Sequence, residues 1–415
     1  MGGLGVGGLG VGGLGVGGVG VAAGAGIDVE RVRADTAGCE HVAHFNNAGS
    51  SLPPRQVTDA VVEHLRLEER MGGYEAAAAR RDLIEHAYDA LARLIGAGRD
   101  EIAVVENATV AWDMAFYSLP WRPGDRILTA RAEYASNVIP FLQIARRHGV
   151  RVDVVPDDET GQLSVDALRR MLDETVKLIA VTHVPTQGGL VNPAAEIGKV
   201  AREAGVTYLL DACQSVGQLR VDVGEIGCDL LSATGRKFLR GPRGTGFLYC
   251  SRRVLRSLEP PFLDMHSATW DSADSYSIRD DARRFENWET YQAGKIGLGV
   301  AADYALDLGL DSIEERVTGL GEELRRRLAA LPGVTVHDTG ARRCGIVTFT
   351  VAGHDSQEIA GRLAAEGINV SVSSASSARW DFESRGLPSL VRASVHYYNT
   401  EDELDRLCAA LPKTA

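Results

Sequence analysis

Lys237 is the residue of this sequence best placed to do covalent chemistry. It stands in DLLSATGRKFLRGPRGTGFLY, residues 229–249. An apolar run there ends in the small turn Ser232-Ala233-Thr234-Gly235, and Gly241, Gly244 and Gly246 follow the lysine. A lysine between a strand end and a glycine-rich turn loses water on several sides. Desolvation depresses the pKa of an amine and leaves it nucleophilic, the state that condenses with an aldehyde. A Lys beside an Arg is also a common solvated surface pair, so this motif needs a second one. Upstream, Tyr208-Leu209-Leu210 reads as a buried strand that ends on Asp211, in DACQSVGQ. Open α/β sheets place their ligand contacts at the carboxyl ends of parallel strands.

A Lys and an Asp on neighbouring strand ends are the pair that pyridoxal 5'-phosphate requires. The Asp keeps the pyridine nitrogen protonated and the Lys holds the aldehyde. In ENATVAWDMAFYSL, Asn107-Ala108-Thr109 opens a helix whose free N–H groups, beside a Thr hydroxyl, make an anion site. An ordinary N-cap by Asn107 or Thr109 is the plainer reading of that turn. Arg392 lies inside the strand-like VRASVHYYNT, where a bare charge is costly to bury. His183 reads as a structural histidine at a strand end.

The elements that must position these groups alternate. RVDVVPDD, LIAVTHVPTQGG and TYLLDACQSVG read as strands separated by helices over 165–174 and 193–204, which predicts a parallel sheet covered on both faces. Residues 56–95 read as two helices with apolar faces. Beyond residue 295, helices over 296–308, 313–331, 356–366 and 401–411 flank the strands VTVHD, GIVTFTV, INVSVS and LVRASVHYY, an α+β pattern. The expected division is a glycine-rich tail (1–26), an N-terminal arm (27–55), a large α/β domain (56–295) and a small α+β domain (296–415). Residues 2–21 are tandem GGLGV-type repeats, read as a disordered tail because glycine costs much entropy to order.

The 415 residues carry a net charge of −12, which argues against nucleic-acid or anionic-membrane partners. Six scattered cysteines without CxxC spacing fit a reduced, cytoplasmic setting and no zinc site.

These motifs together resemble the class V aminotransferase family of fold-type-I pyridoxal phosphate enzymes, which includes the group II cysteine desulfurases. The resemblance runs from about His44 to the C-terminus through FNNAGSSLPP, ENAT, AEYASNVIPF, THVPTQGGLVNP, DACQSVGQ, SATGRKFLRGPRGTGFLY and VRASVHYYNTEDELDRL. It implies a large doubly wound, mostly parallel sheet domain with a smaller α+β C-terminal domain, and a homodimer with shared active sites. It implies that Ala108, Thr109, Thr234 and Arg236 bind the phosphate and that Tyr134 stacks on the ring where desulfurases carry His. Gln214 is expected to donate to the phenolic oxygen, with Thr186 nearby in place of Asn. Arg392 is the expected clamp for the substrate carboxylate, and Asn47 lies near the substrate. Residues 260–290 are expected to reach the neighbouring subunit's site, with Thr290 on the phosphate. Arg240 and Arg243 read as surface charges that could also approach the phosphate.

The loop 373–380, SSASSARW, carries no cysteine to accept sulfur. Arg379 and Trp380 instead suggest a wall for a larger or acidic side chain. The reaction expected on this basis is C–S β-elimination from a cysteine S-conjugate or sulfoxide, giving pyruvate and ammonia. Transamination, decarboxylative deamination or epimerisation on the same framework is the alternative, a non-catalytic cofactor-binding protein is a third reading, and desulfurase chemistry is disfavoured.

Overall fold

The computed structural model describes residues 26–412, so the glycine-rich repeat lies outside the described residues. Seven strands form the main sheet, in the order Ile102–Val105, Gly246–Cys250, Leu230–Thr234, Thr207–Asp211, Val176–Thr182, Arg126–Thr129, Arg151–Val154. Gly246–Cys250 runs antiparallel to both neighbours and the remaining pairings are parallel. The central strands are apolar on both faces, as a parallel sheet covered by helices requires. Arg151–Val154, at the edge, is partly open to solvent along its whole length.

Register brings the polar ends into line. Thr182 pairs with Asp211, so two strand ends meet at one rim, and Asp211 also pairs with Ser232, two residues before the end of its strand at Thr234. Gly246 lies opposite Thr234 on one side and Val105 on the other. A Cβ at Gly246 would stand 2.7 Å from the Asn107 carbonyl carbon and 2.9 Å from the Ala108 nitrogen. Only glycine lets the strand pass this close, and the passage seats the first turn of the helix Ala108–Tyr117 beside Thr234.

The second sheet is fully antiparallel, in the order Val334–Val336, Ile346–Val351, Leu390–Ser394, Ser371–Ser373. The N-terminal arm laces onto it: Ala43–His44 pairs with Ile368–Asn369, and Asn46 bridges to Ser394. This arm delivers residues 46–49 to the rim that carries Asp211. The fold is α/β, a fold-type-I transferase architecture with a parallel-rich main sheet. No helix among the described residues is long and apolar enough to cross a membrane.

Some expectations change. Residues 55–95 form three helices, Arg55–Met71, Gly73–Ala79 and Arg81–Ile95, because Gly72 at φ 95° breaks the first run. The stretch 373–380 is no loop: Ala375–Arg385 is helical, interrupted at Ala378. Residues 260–290 hold a hairpin, Ala268–Ser272 with Ser275–Ile278.

Arg240 is not a surface charge either. It is 1% exposed and bonds to the Leu52 carbonyl at 2.8 Å, Tyr397 Oη at 2.9 Å and Thr36 Oγ1 at 2.5 Å. Its guanidinium also lies over the rings of Tyr398, Tyr397 and Tyr304. Arg240 has φ 62°, a left-handed backbone that costs a non-glycine residue about 1–2 kcal/mol. The buried contacts hold it there, and its N–H closes on the Lys237 carbonyl, so the clamp fixes the turn that carries Lys237. Arg240→Ala should destabilise the fold by about 3 kcal/mol, since it leaves buried hydroxyl and carbonyl groups unpaired and a cavity behind. A shift of the urea unfolding midpoint checks this.

Candidate active site

Asp211 ends its strand 5% exposed. Its Oδ1 accepts the Cys213 N–H at 2.9 Å, and its Oδ2 accepts from Asn137 Nδ2 at 2.9 Å. Lys237 is half-buried, with Nζ 3.5 Å from Cys213 Sγ. Asp211 and Lys237 are therefore joined through Cys213, whose backbone touches one and whose thiol touches the other. Burial, opposed by the nearby Lys237 charge, raises the Cys213 thiol pKa and keeps it neutral.

Arg392 joins the site through Thr186. Its Nη1 donates to the Thr186 carbonyl at 3.0 Å and to Thr186 Oγ1 at 2.6 Å, and its Nε donates to Ser371 Oγ at 3.0 Å. Nη2 has only a long contact to Asn46 Oδ1 at 3.4 Å. Burial lowers its pKa to about 10, with Tyr134 and Arg236 close enough to act on it electrostatically. Among the described residues no carboxylate pairs with this buried cation. Thr186 Oγ1 also accepts from Gln214 Nε2 at 3.3 Å, which ties Arg392 to the Asp211 rim.

Gln214 departs from expectation. Its Nε2 is engaged by Thr186 and by the Ala48 carbonyl at 3.1 Å, and its buried Oε1 has no partner. The free atom it offers is thus an acceptor, not a donor. Asn47 is likewise displaced as a substrate contact. It is fully buried, donates to the Ser394 carbonyl at 2.7 Å, and accepts from Tyr398 Oη, so both ends of its amide serve the fold. Asn46, one residue earlier, is the side chain that faces Arg392.

The first-turn N–H groups of Ala108 and Thr109 precede the ladder of their helix, with Asn107 Oδ1 capping Val110 N–H at 3.0 Å. Thr234 is buried at the strand end opposite Gly246. Arg236 donates to the Gly49 carbonyl, placing a guanidinium between this turn and the N-terminal arm. Tyr134 precedes the helix Ala135–His148, partly exposed at the mouth. His183 is buried and held neutral by desolvation, its pKa lowered to about 3, as befits a structural residue.

Two predicted residues stand apart. Thr290 lines a cavity of about 710 Å³ on the outer side of the Ala108–Tyr117 helix, together with Glu106, Val110 and Glu289. Arg379 is exposed and paired with Glu383 at 2.8 Å, one turn along its helix, and borders a separate hollow of about 290 Å³ with Ile139 and Trp380. Sequence reasoning chose Asn47 over Asn46 and assigned no role to Asn137 or Cys213. Cys213 was within reach of it, because it sits inside DACQ beside Asp211.

The residues present suit pyridoxal phosphate. An acid stands where a ring nitrogen would be met, an amine stands beside it, a helix start held close by a glycine is free for a phosphate, and one buried polar atom lacks a partner.

The family model for aminotransferase class V matches residues 43–407. A probable cysteine desulfurase of Methanothermobacter thermautotrophicus is 32% identical over 393 residues, 93% of this chain and 98% of that protein. The apo cysteine desulfurase of Thermococcus onnurineus NA1 superposes with a TM-score of 0.86 at 28% identity, covering 92% and 96% of the two chains. The cystine C–S lyase C-DES, solved as a lysine-to-alanine mutant with glycine covalently linked to the PLP cofactor, gives a TM-score of 0.82 at 25% identity, with 91% and 98% coverage.

The expectation of β-elimination, with desulfurase chemistry disfavoured, is overturned by the desulfurase relatives at about 30% identity over most of the chain. It rested on the missing thiol in one segment. That segment is a helix here, and its composition says where sulfur does not go rather than which bond breaks. The chain is a pyridoxal phosphate-dependent enzyme of the class V aminotransferase family.

Proposed function

We propose that this enzyme removes the sulfur of L-cysteine, leaving L-alanine and passing the sulfur to a thiol. The observation that carries this reading is Arg392, a buried cation without a carboxylate partner, set at the same rim as Lys237 and Asp211. The relatives named cysteine desulfurase support the choice of amino acid.

When bound, pyridoxal phosphate supplies an electron sink next to the substrate's α-carbon. Arg392 would take the α-carboxylate, and Lys237 Nζ would hold the cofactor aldehyde and accept the α-proton. Asp211 would keep the ring nitrogen protonated. The first turn at Ala108 and Thr109, with Thr234 and Arg236, would hold the phosphate, and Tyr134 would cover a ring face. The C–S bond breaks, an S–S bond forms to the accepting thiol, and Cβ takes a proton, so cysteine and RSH become alanine and RSSH.

The acceptor is an external thiol. The helix Ala375–Arg385 carries no cysteine, and burial holds the Cys213 thiol neutral, whereas sulfur acceptance needs a thiolate. Two copies pair in this reading, because Phe262, Met265, Trp270, Tyr276 and Trp288 are exposed and Thr290 lies away from its own Lys237.

With L-cysteine and excess dithiothreitol, alanine and sulfide should appear in equal amounts, and Cys213→Ala should keep at least about half of the rate. Absence of alanine overturns the desulfurase reading. Alanine formation that collapses in Cys213→Ala overturns the external acceptor.

A further inference from the structure

The carboxylate of Glu133 is 2% exposed, and its hydrogen bonds connect the strand end at Thr182 to the helix start at Asn137, which in turn reaches Asp211. Oε1 accepts the Thr182 N–H at 2.6 Å and Oε2 accepts Thr182 Oγ1–H at 2.7 Å. Thr182 is the direct register partner of Asp211 on the neighbouring strand. Asn137, one helical turn after Glu133, places its single NH2 group between the two acids. Nδ2 is 3.2 Å from Glu133 Oε2 and 2.9 Å from Asp211 Oδ2.

That nitrogen also lies 3.3 Å from Thr182 Oγ1, so its two hydrogens are shared among three acceptors, Glu133 Oε2, Thr182 Oγ1 and Asp211 Oδ2. Glu133 and Asp211 together set the polarity of the relay, since each presents an acceptor to Asn137. Because Oε2 accepts, Asn137 must turn its nitrogen inward, and because the nitrogen is inward, Asp211 Oδ2 is held by a donor. With Oδ1 held by the Cys213 N–H, both oxygens of Asp211 are fixed and its plane cannot rotate. We propose that Glu133 is a positioning residue for the cofactor: acting through Asn137, it locks the Asp211 carboxylate in the orientation that meets the ring nitrogen.

Burying a second carboxylate next to Asp211 has a cost. Desolvation raises the Glu133 pKa to about 7, with Thr182 pulling it back and Asp211 adding to the rise. A chain that needed only a filled space here would be served as well by Gln or Leu. The acid makes sense if its accepting character is what the site uses.

This inference rests on Asp211 meeting the cofactor, so its test carries a control for that assignment. Glu133→Gln keeps the shape and reverses the polarity. The Gln oxygen must face Thr182 N–H, which leaves its NH2 against the Asn137 NH2 and drives that amide to turn its oxygen toward Asp211. Glu133→Gln holoenzyme should lose pyridoxal phosphate on dialysis about tenfold faster than wild type. Its kcat with L-cysteine should fall about ten- to a hundredfold, the usual cost of removing a group that orients a ligating side chain, with KM unchanged. Asn137→Ala should give the same phenotype, and the double variant should be no worse than either single one, since both cut one relay.

Wild-type cofactor retention and kcat in both single variants overturn the proposal, as does a lowered thermal midpoint with normal kcat and retention. Asp211→Asn separates the two assignments. If it too retains cofactor like wild type, the role of Asp211 fails and not the relay alone.

Discussion

Lys237→Ala should reduce L-cysteine turnover by about a thousandfold or more and abolish the visible absorption band of the lysine-bound cofactor. The amine has two tasks, covalent attachment and transfer of the α-proton, and alanine can perform neither. The variant should still fold. Lys237 is half-buried, its side chain contacts Cys213 Sγ, and the turn around it is held by backbone bonds from Arg240 to Lys237 and from Gly241 to Gly235. Lys237→Arg separates charge from reactivity: a guanidinium stays protonated and cannot condense with an aldehyde, so it should be as inactive as alanine. Both variants should bind pyridoxal phosphate noncovalently through the phosphate turn and Asp211. A bond still reducible by borohydride in Lys237→Ala would remove this lysine from its assigned place.

The main sheet was legible because its strands are short apolar runs, and each ends on a polar residue that the register then aligns. Thr182 and Asp211, each the last residue of its strand, pair directly, and Asp211 pairs on its other side with Ser232. Lys237, Asp211 and Arg392 could be found for a related reason: each is a charge in a setting that gives it no reason to be there. The N-terminal arm was harder. Asn46 and Asn47 are chemically identical, and only the bridge from Asn46 to Ser394 decides which faces Arg392 and which is consumed by Tyr398 and Ser394. Arg240 read as a surface charge because the three tyrosines and the backbone carbonyl around it come from segments far apart in sequence. The 373–380 stretch read as a loop because it corresponds to a mobile loop in the desulfurases it resembles, yet here residues 375–385 are helical and pack against Ala135–His148. The reaction was misjudged for a different reason: a desulfurase was disfavoured chiefly on a missing thiol, a feature of the sulfur's destination and not of the bond that breaks, and also on Tyr134 standing where desulfurases carry His.

Arg392→Ala should raise KM for L-cysteine by about a hundredfold or more, with a smaller effect on kcat. Truncating one partner of a buried charge-assisted pair costs about 2–5 kcal/mol, and the substrate carboxylate is the anion this site lacks. The geometry leaves room for it: Nε and Nη1 are committed to Ser371 and Thr186, whereas Nη2 has only the long Asn46 contact. Arg392→Lys should recover part of the loss, because an ammonium carries the charge without the planar fork. Stability should move far less. A buried cation without an anion is paid for by the fold, as its pKa lowered to about 10 by burial indicates, so its removal from the substrate-free enzyme relieves that desolvation penalty. That relief opposes the loss of the hydrogen bonds to Thr186 and Ser371, so thermal unfolding of apo Arg392→Ala should occur close to the wild-type midpoint. Adding L-cysteine or another α-amino acid should raise the wild-type midpoint and leave that of the variant unmoved. A structural arginine would behave in the opposite sense, with a lower midpoint and an unchanged KM, and that result would take the carboxylate clamp away from Arg392.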